Sequence, residues 1–349
     1  MGRLGYERAR ALTGALEDRL IEGLRGDPVS RRAVLGGIGV AGAAAVGASG
    51  GAGASPDHDG EHGNFGARGE YGSDRFDPHA FLGSFERGTV TREGGRRVRE
   101  FELDARDIPI EIAPGVEFLS WAYDGQVPGP TIRATEGELI RVTFTNRGSH
   151  AHTIHPHVRN LNPRMDGIPQ NGPGVLDTGE SLTYEWEAQP AGVHLYHCHS
   201  LPLKEHIHRG LYGAIVIDPD PDRVRENPAE YTPHHGSQIT PELRADLVAR
   251  AESRHPEYDH TATDHDGVNE MVIVMNSFDT NFDGGNEVYA ANTRAFAYGV
   301  GETNGEGEWA AGETKRPVTI DRNELQRIYL LNVTEFDLIN SFHTHSQFF

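Results

Sequence analysis

Two short stretches hold most of the chemistry this chain could perform. Residues 152–157 read H-T-I-H-P-H and residues 197–199 read H-C-H, and Cys198 is the only cysteine among 349 residues. A lone thiol cannot close an intramolecular disulfide. A soft thiolate beside imidazoles is a donor set that suits copper. In an extended chain, alternate side chains point to opposite faces. If both stretches are strands, His155 and His157 share one face, and so do His197 and His199. His152 and Cys198 have the opposite parity to those neighbours. One face can then build a cysteine-bearing mononuclear site while the other offers four imidazoles to a second site. The covalent step from Cys198 to its neighbours would link the two.

Other chemistries fit less well. Zinc binds Cys and His well, but it gives no reason to place them on opposed faces. A hydrolase is no better supported, since Cys198 sits within a strand pattern with no helix N-terminus behind it to activate a nucleophile.

The elements that must position these residues are short strands. Residues 98–103 and 138–145 alternate, and Tyr123-Asp124-Gly125-Gln126-Val127-Pro128-Gly129-Pro130-Thr131-Ile132 between them carries turn residues. Residues 181–187, 193–198 and 213–217 read as further strands, and this spacing indicates a sandwich or barrel. A second β region begins at residues 271–275 and includes 317–320 and 328–333. The two regions echo one another: 141–146 followed by His155 and His157, then 327–332 followed by His343 and His345. That pattern suggests a duplicated domain. Between them, residues 221–266 read as an interdomain linker with one short helix at about 241–251, N-capped by Thr240. Its histidines, His234, His235, His255, His260 and His265, read as surface groups.

A net charge of −20 repels phosphate and so argues against nucleic acid and anionic membranes as partners. Lys204 and Lys315 are the only lysines among 32 basic residues, and this acidic, lysine-poor balance resembles adaptation to high salt. Near the N-terminus, Ser30-Arg31-Arg32-Ala33-Val34-Leu35 precedes an uncharged Gly/Ala run ending in Ala52-Gly53-Ala54. Residues 1–54 therefore resemble a twin-arginine export signal, which predicts a location outside the cell or on the outer face of its envelope. Residues 55–96 read as a solvated linker, with His58, His62 and His79 as ordinary polar groups.

From about residue 97 to 349 the chain resembles the multicopper oxidases, a family of linked cupredoxin domains. The match is to the two-domain type with blue copper in the first domain. The motifs occur in family order: Asp124-Gly125 with Pro128-Gly129-Pro130-Thr131, then H-T-I-H-P-H, Tyr196-H-C-H, and Gly210-Leu211-Tyr212-Gly213 before the apolar 214–217. The resemblance implies an all-β fold of two tandem cupredoxin-like Greek-key β-sandwiches, at 97–220 and 267–349, the second truncated at its C-terminus.

It further implies a type 1 copper held by His152, Cys198 and His206, with His208 the alternative to His206 by spacing. Leu211 takes the axial position where many relatives carry Met. Leucine cannot coordinate, so the reduction potential should be higher. His155, His157, His197, His199, His343 and His345 would serve the type 2/type 3 copper cluster, for up to four coppers per complete site. A second H-x-H from the second domain is missing before Phe349, so six cluster histidines stand where the family uses eight. The implied assembly is a homotrimer with the cluster between subunits. The implied activity is oxidation of a small-molecule reductant or electron-donor protein, coupled to reduction of dioxygen to water. A copper nitrite reductase shares this architecture, but there the position of His155 is typically Asp and that of His199 is not a ligand. A non-catalytic type 1 copper electron carrier is the other alternative. Only four methionines are present, so no Met-rich segment points to cuprous ion as the reductant.

Overall fold

The computed structural model describes residues 76–113, 116–232, 239–252, 270–299, 315–320, 326–336 and 340–343. The twin-arginine stretch, His58, His62, the five linker histidines and His345 lie outside the described residues. A short helix α1 (Pro78–Leu82) leads into β1 (Thr89–Glu93), β2 (Arg96–Ala113), β3 (Val116–Tyr123), β4 (Gly129–Thr135), β5 (Leu139–Asn146), β6 (His155–Pro156), β7 (Ser181–Glu187) and β8 (Gly192–His197). Helix α2 (Leu203–His208), β9 (Tyr212–Asp218), helices α3 (Pro221–Glu226) and α4 (Pro241–Glu252), β10 (Glu270–Phe278), β11 (Val288–Ala291) and β12 (Arg327–Asn332) follow.

One sheet runs β1-β2-β5-β7, with β3 also paired to β2, and a second runs β4-β9-β8-β6. Between them lies an apolar core that includes Trp186, Phe144, Tyr123, Tyr184, Tyr196 and Ile215, all essentially buried. Strand β9 is buried along its whole length. Leu211 just before it and its Ile215 and Ile217 belong to that core, whereas Tyr212, Ala214 and Val216 join another core with Val272, Val274 and Phe278 of β10. The continuous apolar run in β9 thus has the period-2 reason of a strand covered on both faces. β10 pairs antiparallel with β11 and parallel with β12.

Arg133 ties the two units together. Its guanidinium donates to both oxygens of Asp218, at 2.7 and 2.9 Å, and also reaches Glu270 at the start of β10. The duplication suspected from sequence has a local counterpart. β5 runs parallel to β2 and β12 parallel to β10. Each ends on an Asn whose side-chain oxygen accepts the N–H two residues on, from Gly148 at 2.9 Å and Thr334 at 3.1 Å.

Three sequence expectations need correction. The linker assigned to residues 55–96 already contains α1 and β1. His79 is not a solvated linker group: its Nε2 lies 3.0 Å from the Ala297 carbonyl and its ring packs edge-on to Tyr298, which anchors α1 on the second unit. Residues 317–320 form no strand, and Ile320 is exposed. The helix at 241–251 is present, with Leu243 N–H on Thr240 Oγ1 at 3.2 Å. Sequence reading missed α3, although Asp220 accepts from the N–H groups of Asp222 and Arg223 and Pro221 occupies the first turn, a strong helix start.

Candidate metal centre

β6 and β8 pair antiparallel with His155 opposite His197. Beyond His197 the chain leaves the ladder but stays pinned. Cys198 N–H donates to the Leu211 carbonyl at 3.0 Å, and His199 N–H donates to Thr153 Oγ1 at 2.9 Å. Thr153 is held in turn by the Tyr123 hydroxyl on its carbonyl (2.7 Å), and its own N–H points at Cys198 Sγ (3.4 Å). Segment 152–154 and segment 197–199 are therefore locked side by side. The alternation of faces read from sequence holds even though β8 stops at His197.

On one face His152, Cys198 and His206 converge. His152 Nδ1 and His206 Nδ1 are 3.2 Å apart, and Cys198 Sγ lies 3.3 Å from His206 Nδ1 and 3.9 Å from His152 Nδ1. A triangle of that size suits one ion bonded at roughly 2 Å to each corner. His206 sits on α2. His208 is not part of this group: its Nε2 instead accepts the Asp279 N–H at 2.7 Å. The structure thus separates the two candidates that spacing left open. Leu211 is buried beside Cys198 in the same core and its N–H meets the His206 carbonyl at 3.3 Å.

On the other face His155, His157 and His197 bring their ring nitrogens together. His155 Nδ1 bonds the Asp166 carbonyl and His197 Nδ1 bonds the Cys198 carbonyl (2.7 Å), so each presents Nε2. The Nε2 atoms of His157 and His197 are 2.9 Å apart. His199 closes the group, its ring 5.1 Å from that of His155. His343 is exposed on the second unit and is not among the imidazoles gathered here.

Burial disfavours the charged form of His152, His155, His157, His197 and His206. It pushes His206 and His197 down to about 4, and His152 well below its ordinary value, with neighbouring imidazoles adding to the effect at His152 and His197. Neutral imidazoles are the form a metal needs. Burial raises the Cys198 thiol, so in this chain alone the proton stays on sulfur until a cation displaces it.

Sequence reasoning missed the wall of the first site. Trp121 packs its indole against His150, His206 and His152, at centroid distances of 4.4, 4.7 and 5.3 Å. The Arg209 guanidinium lies over Trp121 at 4.7 Å and over Phe282 of the second unit at 4.3 Å. Nothing in the spacing links a Trp on β3 to these histidines. A third group, the acidic Asp279, Asp283 and Glu287, forms in the β10–β11 turn, where the Asp279 carboxylate accepts the N–H groups of Asp283 and Gly284.

Comparison with known proteins shows the family. A multicopper oxidase family model matches residues 105–222. A solved multicopper oxidase structure is 34% identical, with a TM-score of 0.54, over 75% of this chain and 72% of its own. The chain belongs to the multicopper oxidase family. A copper-containing nitrite reductase of Neisseria meningitidis is 31% identical over 134 residues, 37% of this chain and 33% of the relative. An L-ascorbate oxidase of Cucumis sativus is 32% identical over 148 residues, 39% of this chain and 23% of the relative. The chain thus spans a third or less of the length of these curated relatives.

Proposed function

We propose that this multicopper oxidase takes electrons from a reductant at a type 1 copper held by His152, Cys198 and His206. His155, His157, His197 and His199 would help to hold a type 2/type 3 copper cluster that receives those electrons. The observation that carries this reading is the peptide 197–199, which contributes one residue to the first site and the two flanking it to the second. Bound copper would supply the one-electron redox chemistry and the reduction of dioxygen to water. The chain supplies the rest. Cys198 and its neighbours form the covalent path between sites. The Asp166 and Cys198 carbonyls fix the His155 and His197 tautomers, and aliphatic Leu211, buried in the same core as Cys198, would add no further donor to a copper held there, favouring a high potential.

The imidazole group is open on one side, which supports a homotrimer in which the second unit of a neighbouring copy brings His343 and His345 to it. Export by the twin-arginine route suits a protein that folds around its metal before leaving the cytoplasm. The reductant is a small molecule or a donor protein.

Full-length protein reconstituted with copper tests the function in an oxygen electrode. The expected result is oxygen uptake in step with reductant oxidation and bleaching of a blue absorption band. Efficient nitrite reduction with no oxygen uptake would overturn it in favour of a nitrite reductase. A blue band with neither activity would leave an electron carrier.

A further inference from the structure

We propose that Asp107 is the outer hydrogen-bond partner of His152 and that Gly148 keeps the space between them open. This inference rests on the assignment of His152 as a type 1 copper ligand.

His152 faces the Cys198 sulfur with Nδ1, so a metal there leaves the proton on Nε2. That atom is fully buried and has no hydrogen-bond partner, in a residue of 0% exposure. An N–H left unpaired in such a place bears the full cost of its lost hydration, and ligating histidines normally give this proton to a carboxylate, a carbonyl or water. A buried acceptor answers it. Asp107 Oδ2 accepts the Ser149 N–H at 3.1 Å, while Asp107 Oδ1 is buried and also without a partner.

Both orphaned atoms border the same residue. A Cβ added to Gly148 would lie 3.0 Å from Asp107 Oδ1 and 3.0 Å from His152 Nε2. Gly148 is itself fixed, its N–H on Asn146 Oδ1 at 2.9 Å and its carbonyl accepting from Thr178 Oγ1 at 2.7 Å. Any larger residue would wedge the carboxylate from the imidazole. Asp107 stands opposite Trp121 in the β2–β3 ladder, and Trp121 packs on the His152 ring. One hairpin therefore places both the wall and the acceptor. One water or a small turn of the carboxylate joins the pair.

Asp107 is thus a positioning residue, acting through His152. A carboxylate drawing on Nε2–H makes the imidazole a stronger donor, stabilises the oxidised metal and holds the potential down. It partly offsets the upward push of an axial leucine.

Redox titration of the blue band in copper-loaded, full-length protein is the test. Asp107→Asn should keep the band and shift the midpoint potential upward. Gly148→Ala, which leaves the charge in place but separates the pair, should shift it in the same direction. Pulsed EPR of the oxidised wild-type protein should report a strongly hydrogen-bonded remote imidazole nitrogen, a signature weakened in both variants and readable should Asp107→Asn fail to fold. An unmoved midpoint in a folded, blue Asp107→Asn protein, or a remote-nitrogen signal identical in wild type and Gly148→Ala, overturns the inference. Absence of any blue band from copper-loaded wild type would overturn the type 1 assignment itself, and this inference with it.

Discussion

The two donor groups meet at one tripeptide yet differ in how they are enclosed. His152, Cys198 and His206 are 0, 0 and 3% exposed, come from one unit and face one another at contact distance. In the other group only His197 is buried. His155 and His199 are half-buried and His157 is exposed. A closed three-donor set is what a site needs when it only exchanges electrons. A site that must admit a substrate, and receive further ligands, keeps a side open. The same strand register serves both because neighbouring residues on an extended chain look opposite ways.

Breaking the closed group should have the largest effect. Cys198→Ser removes the thiolate, so the blue band and reductant oxidation should vanish together while copper bound by the imidazole group remains, as metal analysis with EPR would show. His157→Ala should do the reverse, keeping the band and its bleaching by reductant while oxygen uptake falls to background.

A substitution that touches neither group sharpens the comparison. Arg133→Ala leaves the carboxylates of Asp218 and Glu270 without their buried cation, and should cost about 3–5 kcal/mol in denaturant unfolding. If the blue band survives in the folded fraction, the donor groups owe their geometry to the first sandwich alone.

Acid should also separate metal-free from metal-loaded protein. The folded values of His206 and His197, near 4, lie below the ordinary 6.5. Between those limits the unfolded chain binds more protons, so stability falls as pH drops from about 6.5 toward 4 and is recovered above it. Thermal melts of the copper-free protein should show this loss. The copper-loaded protein should resist it, because the metal occupies the atoms that protons would take. The smallest effect is expected at His208. His208→Ala removes the acceptor of the Asp279 N–H and should lower stability by about 1–2 kcal/mol without altering the blue band, in contrast to His206→Ala, two residues away.

Much of this was legible in the residues. Parity around Cys198 assigned each histidine to its face, and the strands at 98–103, 138–145 and 213–217 were visible as apolar alternation. Helix α4 was visible through its Thr240 cap. What was missed lay where contacts are long-range. His79 looked like part of a linker because its partners, Ala297 and Tyr298, are far along the chain, and 317–320 looked like a strand because apolar alternation alone does not supply a pairing neighbour.

The donor types, their alternation and the family are legible in residue order, since a unique Cys between two His has few other uses and any extended backbone turns successive side chains to opposite faces. Packing, which residue order does not encode, sets His206 and not His208 beside His152 and Cys198. Both lie on one short helix, and the packing of α2 between the Cys198 loop and β10 turns one imidazole to the sulfur and the other to the Asp279 amide. It also brought Trp121, Asp107 and Gly148 around His152, because contacts made across a sheet depend on register and packing, which local residue order does not encode.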